Sequence, residues 1–200
     1  MNEKFFDLNR EKQDRMINAA LRIFAQNGYR HASTDVIVKE AGISKGLLFH
    51  YFTSKIGLFS FLFDYSVKYM LFEYDRLISP KETDYFVIRR DLEKAKLNVL
   101  RSYPYMSEFI EKSLEENQLD INETIELSKN TYLDTLNKYY AQGSHDFLRE
   151  DISKNRLDCI IRYTVDGLTK EQIRTGSFQP EMLYEQICDY LDTIKKLVTK

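Results

Sequence analysis

The stretch Ser33-Thr34-Asp35-Val36-Ile37-Val38-Lys39-Glu40-Ala41-Gly42-Ile43-Ser44-Lys45-Gly46-Leu47-Leu48-Phe49-His50-Tyr51-Phe52-Thr53-Ser54-Lys55 decides the fold, because it spells out two helices and the turn between them. Ser33 and Thr34 offer hydroxyls to the orphan N–H groups of a helix start, and Asp35 complements its positive end. Gly42 stops that helix, since glycine tolerates the left-handed conformation of a C-terminal cap. Ser44 caps a second helix, with Ile43 before it placed to staple against Leu48. On this second helix Leu48 and Phe52 lie four apart and face inward, which leaves Lys45, Gly46, Leu47, Phe49, His50 and Tyr51 to the outer surface and flanks. Two short helices joined by Ala41-Gly42-Ile43 form a helix-turn-helix, whose second helix suits a DNA major groove. Lys45 can reach a guanine edge or a phosphate, and Gly46 lets the backbone come close. Leu47 or Phe49 can touch a thymine methyl, while His50 and Tyr51 can donate to phosphate oxygens.

Upstream, residues 10 to 26 read as a helix with Met16, Ala20, Ile23 and Phe24 on its inner side and Gly28 at its end, which completes a three-helix domain. The ordered series Ala19-Ala20-Leu21-Arg22-Ile23-Phe24-Ala25-Gln26-Asn27-Gly28-Tyr29, Ser33-Thr34, Ile37, Ala41-Gly42-Ile43-Ser44-Lys45-Gly46, Phe49-His50-Tyr51-Phe52 and Lys55 resembles the N-terminal domain of the TetR (tetracycline repressor-like) family of transcriptional regulators. The resemblance covers roughly residues 10 to 60. It implies an all-helical homodimer whose C-terminal part senses a small molecule and releases operator DNA. Residue by residue, it implies that Ser33 and Thr34 contact phosphates, that Lys45, Gly46, Leu47 and Phe49 approach base edges, and that His50, Tyr51 and Lys55 bind phosphates; with Ser44 these form the expected DNA-binding set. Three positions depart from the family pattern: Asp35, where a polar or basic residue is frequent; Val38, where Ala is usual; and Gly57, where Glu commonly follows the lysine. Asp35 would repel phosphates, and Phe49 keeps the ring of the frequent Tyr without its hydroxyl.

Downstream, Ser54 can cap a helix from Lys55 to about Ile78, with an apolar face of Phe59, Leu62, Phe63, Met70, Leu71 and Tyr74. Further helical patterns occupy about Thr83 to Ser102, Pro104 to Glu116 and Ile121 to Ala141. After a polar loop at Gly143, Ser144 and His145, two more span about Asp151 to Thr175 and Pro180 to Val198, with Gly176-Ser177-Phe178-Gln179 between them and Pro180 at a helix start. The fold class is therefore all-α: a helix-turn-helix DNA-binding domain over residues 1–54 and a larger helical effector-binding and dimerisation domain over 55–200. In the resembled family the last two helices pair with their copies in a four-helix bundle. Leu157, Ile160, Ile161, Thr164, Leu168, Leu183, Ile187, Tyr190, Leu191 and Ile194 offer suitable faces here, or else complete the monomer's own core. Gly167 in mid-helix costs about 1 kcal/mol relative to Ala, which close helix approach would explain.

The net charge is −2, but residues 1 to 58 hold nine Lys or Arg against six Asp or Glu, so the basic excess sits on the helix-turn-helix. No apolar run approaches the length of a membrane span and the N-terminus lacks a signal peptide's pattern, so the chain reads as cytoplasmic and without a membrane partner. Cys159 and Cys188 lie in helical apolar patterns and read as buried structural thiols. His31, His50 and His145 have no catalytic or metal-ligand partner at a recognisable spacing and no Gly-rich phosphate loop is present, so neither enzyme, metal nor cofactor is expected. Phe63, Tyr69, Phe72, Tyr85, Phe86, Tyr103, Tyr105, Phe109, Tyr132 and Tyr139 read as core, around a pocket for a lipophilic or aromatic effector whose lining the sequence does not reveal. Arg89, Arg90 and Arg101 read as a solvated charged face, with an anionic head group as the alternative. A ligand-binding or scaffold protein without DNA affinity is the competing reading; Ser44-Lys45-Gly46 and Lys55 argue against it. Repression is the usual mode in the resembled family.

Overall fold

The computed structural model describes residues 3–174 and 178–200. Among them the chain is all-helical, without a strand: α1 Arg10–His31, α2 Thr34–Ala41, α3 Lys45–Phe52, α4 Lys55–Leu77, α5 Tyr85–Ser102, α6 Met106–Leu114, α7 Leu119–Gln142, α8 Lys154–Arg174 and α9 Pro180–Val198, preceded by a 3-10 turn over Glu3–Phe5. The break expected at Gly176-Ser177-Phe178-Gln179 and the helix end at Thr175 fall partly on residues 175–177, outside the described residues.

Local chemistry sets most of the helix ends. The Asn9 side chain accepts the Lys12 amide at 3.0 Å to open α1. Gly28 breaks that helix as expected, at φ 66 and ψ 175, after which one further turn runs to His31. The Ser54 hydroxyl accepts the Gly57 amide at 3.1 Å and caps α4. α5 begins at Tyr85 rather than Thr83 because the Asp84 carboxylate accepts the Phe86 and Val87 amides, at 2.8 and 3.1 Å. α8 begins at Lys154 rather than Asp151, since Arg149 holds the Asp151 carboxylate and the Ser153 hydroxyl takes the Arg156 amide. Pro180 opens α9.

Two compact units result: Met1–Phe72 with Val99–Asp134, and Glu73–Asn98 with Thr135–Lys200. α4, α5 and α7 supply residues to both. The first unit holds the helix-turn-helix and is built on aromatic packing, with Phe59 5.2 Å by ring centroid from both Phe24 and Phe109. The Tyr103 hydroxyl donates to Asp14 at 2.9 Å and lies 2.7 Å from the Tyr65 hydroxyl, so α1, α4 and the segment after α5 share one polar chain. Burial and these partners push the Tyr103 phenol well above its ordinary pKa.

The second unit packs α8 and α9 against the start of α5. Leu157, Ile161, Leu183, Ile187, Leu191 and Ile194 lie in this core with Tyr85 and Phe86. Most of the face offered for dimerisation therefore fills the monomer's own interior, leaving Ile160 and Tyr190 exposed. No neighbouring helix crowds Gly167: a Cβ there would meet nothing within 4 Å. Cys159 and Cys188 are free and only half-buried, short of the full burial expected. Most of the aromatics expected in the core are there, but Phe72 is 60% exposed. Arg89 also departs from the sequence reading. It is a buried residue of α5, only 5% exposed, whereas Arg90 pairs with Asp192 at the surface.

No single helix among the described residues is long and apolar enough to cross a membrane.

Candidate nucleic-acid interface

The turn of the helix-turn-helix is made by backbone geometry that glycine permits. Gly42 sits at φ 66, ψ 39; its N–H reaches the Lys39 carbonyl at 3.3 Å, and the Ile43 N–H reaches that of Val38 at 3.0 Å. Ser44 follows in extended conformation and its hydroxyl accepts the Leu47 amide at 3.1 Å, so it caps α3 as expected. Ser33 occupies the N-cap position of α2, but its side chain makes no capping bond. The cap read from sequence is thus unused, and the exposed hydroxyl stays available to a ligand.

Leu48 and Phe52 are buried, which rotates the other side of α3 outward. Ser33, Ser44, Lys45, Gly46 and His50 are exposed, and Thr34, Leu47, Phe49, Tyr51 and Lys55 half-buried. A Cβ at Gly46 would meet only the Ser44 hydroxyl, at 4.0 Å, so the protein itself does not demand glycine there.

Two lysines of this set are already engaged. Lys45 Nζ lies 2.8 Å from the Asp35 carboxylate, with the side chains 52% and 70% exposed, so the acidic residue that departs from the family pattern pairs with the lysine expected at a base edge. The Lys55 ammonium donates to the Arg30 carbonyl at 3.3 Å and lies over the Tyr29 ring at 4.7 Å. Burial pushes its pKa below the usual lysine value.

The remaining departures also have physical accounts. A Cβ at Gly57 would lie 2.1 Å from the Phe52 carbonyl oxygen, so only glycine lets α4 start this close to the end of α3. The two helices bend by 63° at that junction. Val38 is buried, and an Arg22–Glu40 ion pair ties α2 to α1.

Sequence reasoning missed two contributors. Phe5, fully buried, sets its ring 5.8 Å from Tyr51 and 5.2 Å from Phe52, so the N-terminal turn braces the back of α3. The Phe5-Phe6 pair is its only signal in the sequence. Thr53, the C-cap of α3, adopts φ 64 and ψ −45 while its N–H reaches the Phe49 carbonyl at 2.9 Å. No residue preference announces a β-branched side chain there.

A three-helix unit presenting the outer face of a capped recognition helix defines a helix-turn-helix protein of the DNA-binding class. Comparison with known proteins agrees: residues 16–60 match the family described as bacterial regulatory proteins, tetR family. Residues 16–60 thus carry a tetR-family DNA-binding domain. An uncharacterized HTH-type transcriptional regulator of Bacillus subtilis, YuxN, is 30% identical over 175 residues, which span 78% of this chain and 58% of that protein's length. A TetR family regulator from Chloroflexus aurantiacus superposes with a TM-score of 0.67 at 23% identity, covering 99% of this chain and 98% of that one. The MbdR regulator from Azoarcus sp. CIB gives 0.69 at 19% identity over 90% of this chain and 96% of that one. The matched proteins are regulators rather than enzymes, and the last two likenesses concern the fold.

Proposed function

We propose that this protein is a homodimeric transcriptional repressor that binds a palindromic operator in the cytoplasm and is released by a small lipophilic or aromatic effector. Residues 1–54 bind DNA and residues 55–200 bind the effector and the second copy. The observation that carries the reading is the outer face of α3, where Lys45, Gly46 and His50 are exposed and Leu47, Phe49 and Tyr51 half-buried, behind a Ser44 cap. Lys45, Gly46, Leu47 and Phe49 approach base edges, and Ser33, Thr34, His50, Tyr51 and Lys55 hold phosphates on either side. DNA must draw Lys45 from Asp35 and Lys55 from the Arg30 carbonyl.

Exposed apolar side chains support dimerisation through the last two helices: Ile160 and Tyr163 of α8 and Met182, Tyr190 and Leu197 of α9. Two-fold symmetry then brings recognition helices to successive major grooves, which is why the operator is palindromic. α4 carries the lever, since it starts at the recognition helix and continues toward the effector half.

Selection of bound duplexes from a random pool, followed by anisotropy titration at two salt concentrations, tests this reading. The expected result is an enriched palindrome whose binding Lys45→Ala weakens by about 1–3 kcal/mol with loss of selectivity, while Lys55→Ala weakens all sequences alike and lowers the salt slope by about one. No enrichment over random DNA overturns the proposal.

A further inference from the structure

The second unit holds a buried cation, one of whose donors has no partner among the described residues. Arg89 is 5% exposed, and its Nε is a buried donor with no acceptor among the described residues. Its guanidinium lies over the Tyr140 ring, 4.8 Å from the centroid, which covers one face and leaves the donor edge unsatisfied. The carboxylates nearest in charge are engaged elsewhere: Glu93 takes the Lys96 ammonium at 3.1 Å, and Asp158 takes the Tyr85 hydroxyl at 2.5 Å. Burial lowers the Arg89 pKa, but Tyr140, Glu93, Tyr85 and Asp158 outweigh it, so the group stays charged. An unmade hydrogen bond from a buried cation is among the costliest features a fold can retain.

A second orphan lies in the same unit, against Tyr85. His145 Nε2 is buried with no hydrogen-bond partner among the described residues, and its ring is 4.8 Å from Tyr85, one helical turn before Arg89 on α5. Tyr85 is itself rigidly placed. Its hydroxyl is held by Asp158, the Ser144 amide reaches the Thr83 carbonyl at 2.8 Å, and the loop passes so close that a Cβ at Gly143 would lie 3.0 Å from the Tyr85 Cα. Two unsatisfied polar atoms thus flank an aromatic residue on a preorganised frame, which is how a polar group on a mostly apolar ligand is captured.

We propose that Arg89 anchors an acidic effector, a small carboxylate with an aromatic body, through its Nε edge. This rests on the ligand-responsive reading above and narrows the effector class. A carboxylate fits because its two oxygens match the planar fork of a guanidinium side-on, while a neutral hydroxyl offers one weaker acceptor. The rings of Tyr85, Tyr140 and His145 suit a flat apolar body. On this proposal the Arg89 that reads as surface charge in the sequence is the residue that selects the acid.

The test measures thermal unfolding of the full chain with benzoate and phenylacetate, against benzyl alcohol and 2-phenylethanol at equal concentration, in wild type and Arg89→Met. The acids should raise the wild-type Tm by several degrees and the alcohols should not. Arg89→Met should lose the acid response; its ligand-free Tm should fall, because Glu93, Asp158 and the Tyr140 ring lose the cation they favour, so each protein's response is read against its own ligand-free Tm. Arg89→Lys, which keeps the charge without the fork, should respond partially. In spectra of arginine side chains, the Nε–H signal missing from Arg89→Met should be the one that moves when benzoate is added to wild type.

Equal responses to acids and alcohols, no response to the acids, or an Arg89→Met protein that keeps the acid response would each overturn the proposal. Operator anisotropy on the same samples separates the two readings: retained DNA binding with no acid selectivity rejects the acidic effector alone, whereas loss of specific DNA binding in ligand-free wild type rejects the regulator itself.

Discussion

At the scale of single residues, Asp35 stands out because its exposed carboxylate holds Lys45 at 2.8 Å. Exposed pairs of this kind contribute little to stability, so its effect belongs to binding. Asp35→Asn should tighten operator binding on the order of threefold, and the gain should shrink in a Lys45→Ala background; anisotropy on the four proteins of the cycle measures the coupling. Equal gains in both backgrounds would mean that Asp35 acts on phosphates directly and not through Lys45. Thr53 is the other residue whose conformation works against its identity, at φ 64. Thr53→Gly should stabilise the protein by about 1 kcal/mol, read from urea unfolding, by relieving that strain. An unchanged or lower midpoint would show that the threonine side chain offsets the strain by contacts of its own.

At the scale of elements, the α3–α4 junction determines where the recognition helix points. Gly57 allows α4 to start against the Phe52 carbonyl, and Phe5 braces α3 from behind. Gly57→Ala forces a methyl into an oxygen 2.1 Å away, so the helices must separate. The cost should be about 1–3 kcal/mol of stability with a larger proportional loss of operator affinity, since α3 shifts relative to its copy in the proposed dimer. Circular dichroism melts and anisotropy check both. A variant that keeps wild-type stability and affinity would show that the junction does not set the recognition geometry.

For the whole molecule, assembly is the central question, because much of the apolar face expected to pair with a second copy fills the second unit's own core. What remains outside on α8 and α9 includes Tyr163 at 64% exposure and Tyr190 at 50%. Tyr190→Glu adds a charge to that remainder without entering the core. It should convert the proposed dimer to monomer in sedimentation and reduce operator affinity at least tenfold, because one half-site must then hold alone. A dimer that persists would move the interface off this face. Gly167, with open space around it, is the place where a partner helix could approach.

How much was legible in the sequence follows the range of the interactions involved. Gly42, Ser44, Ser54 and Pro180 marked helix boundaries correctly because caps are made between residues a few positions apart, and Leu48 with Phe52 oriented α3 because helical spacing alone decides which side faces inward. The sequence by itself therefore determined the all-helical fold, the helix-turn-helix and the surface of its second helix. It did not determine that Phe5 lies beneath α3, that Arg89 is buried rather than solvated, or that Leu157 and Leu183 face their own unit. Those outcomes depend on which distant segments meet, and an arginine on an amphipathic helix carries the same local pattern whether water or Tyr140 covers it. Only the tertiary structure decided them, because burial is a property of the assembled core and not of any one helix.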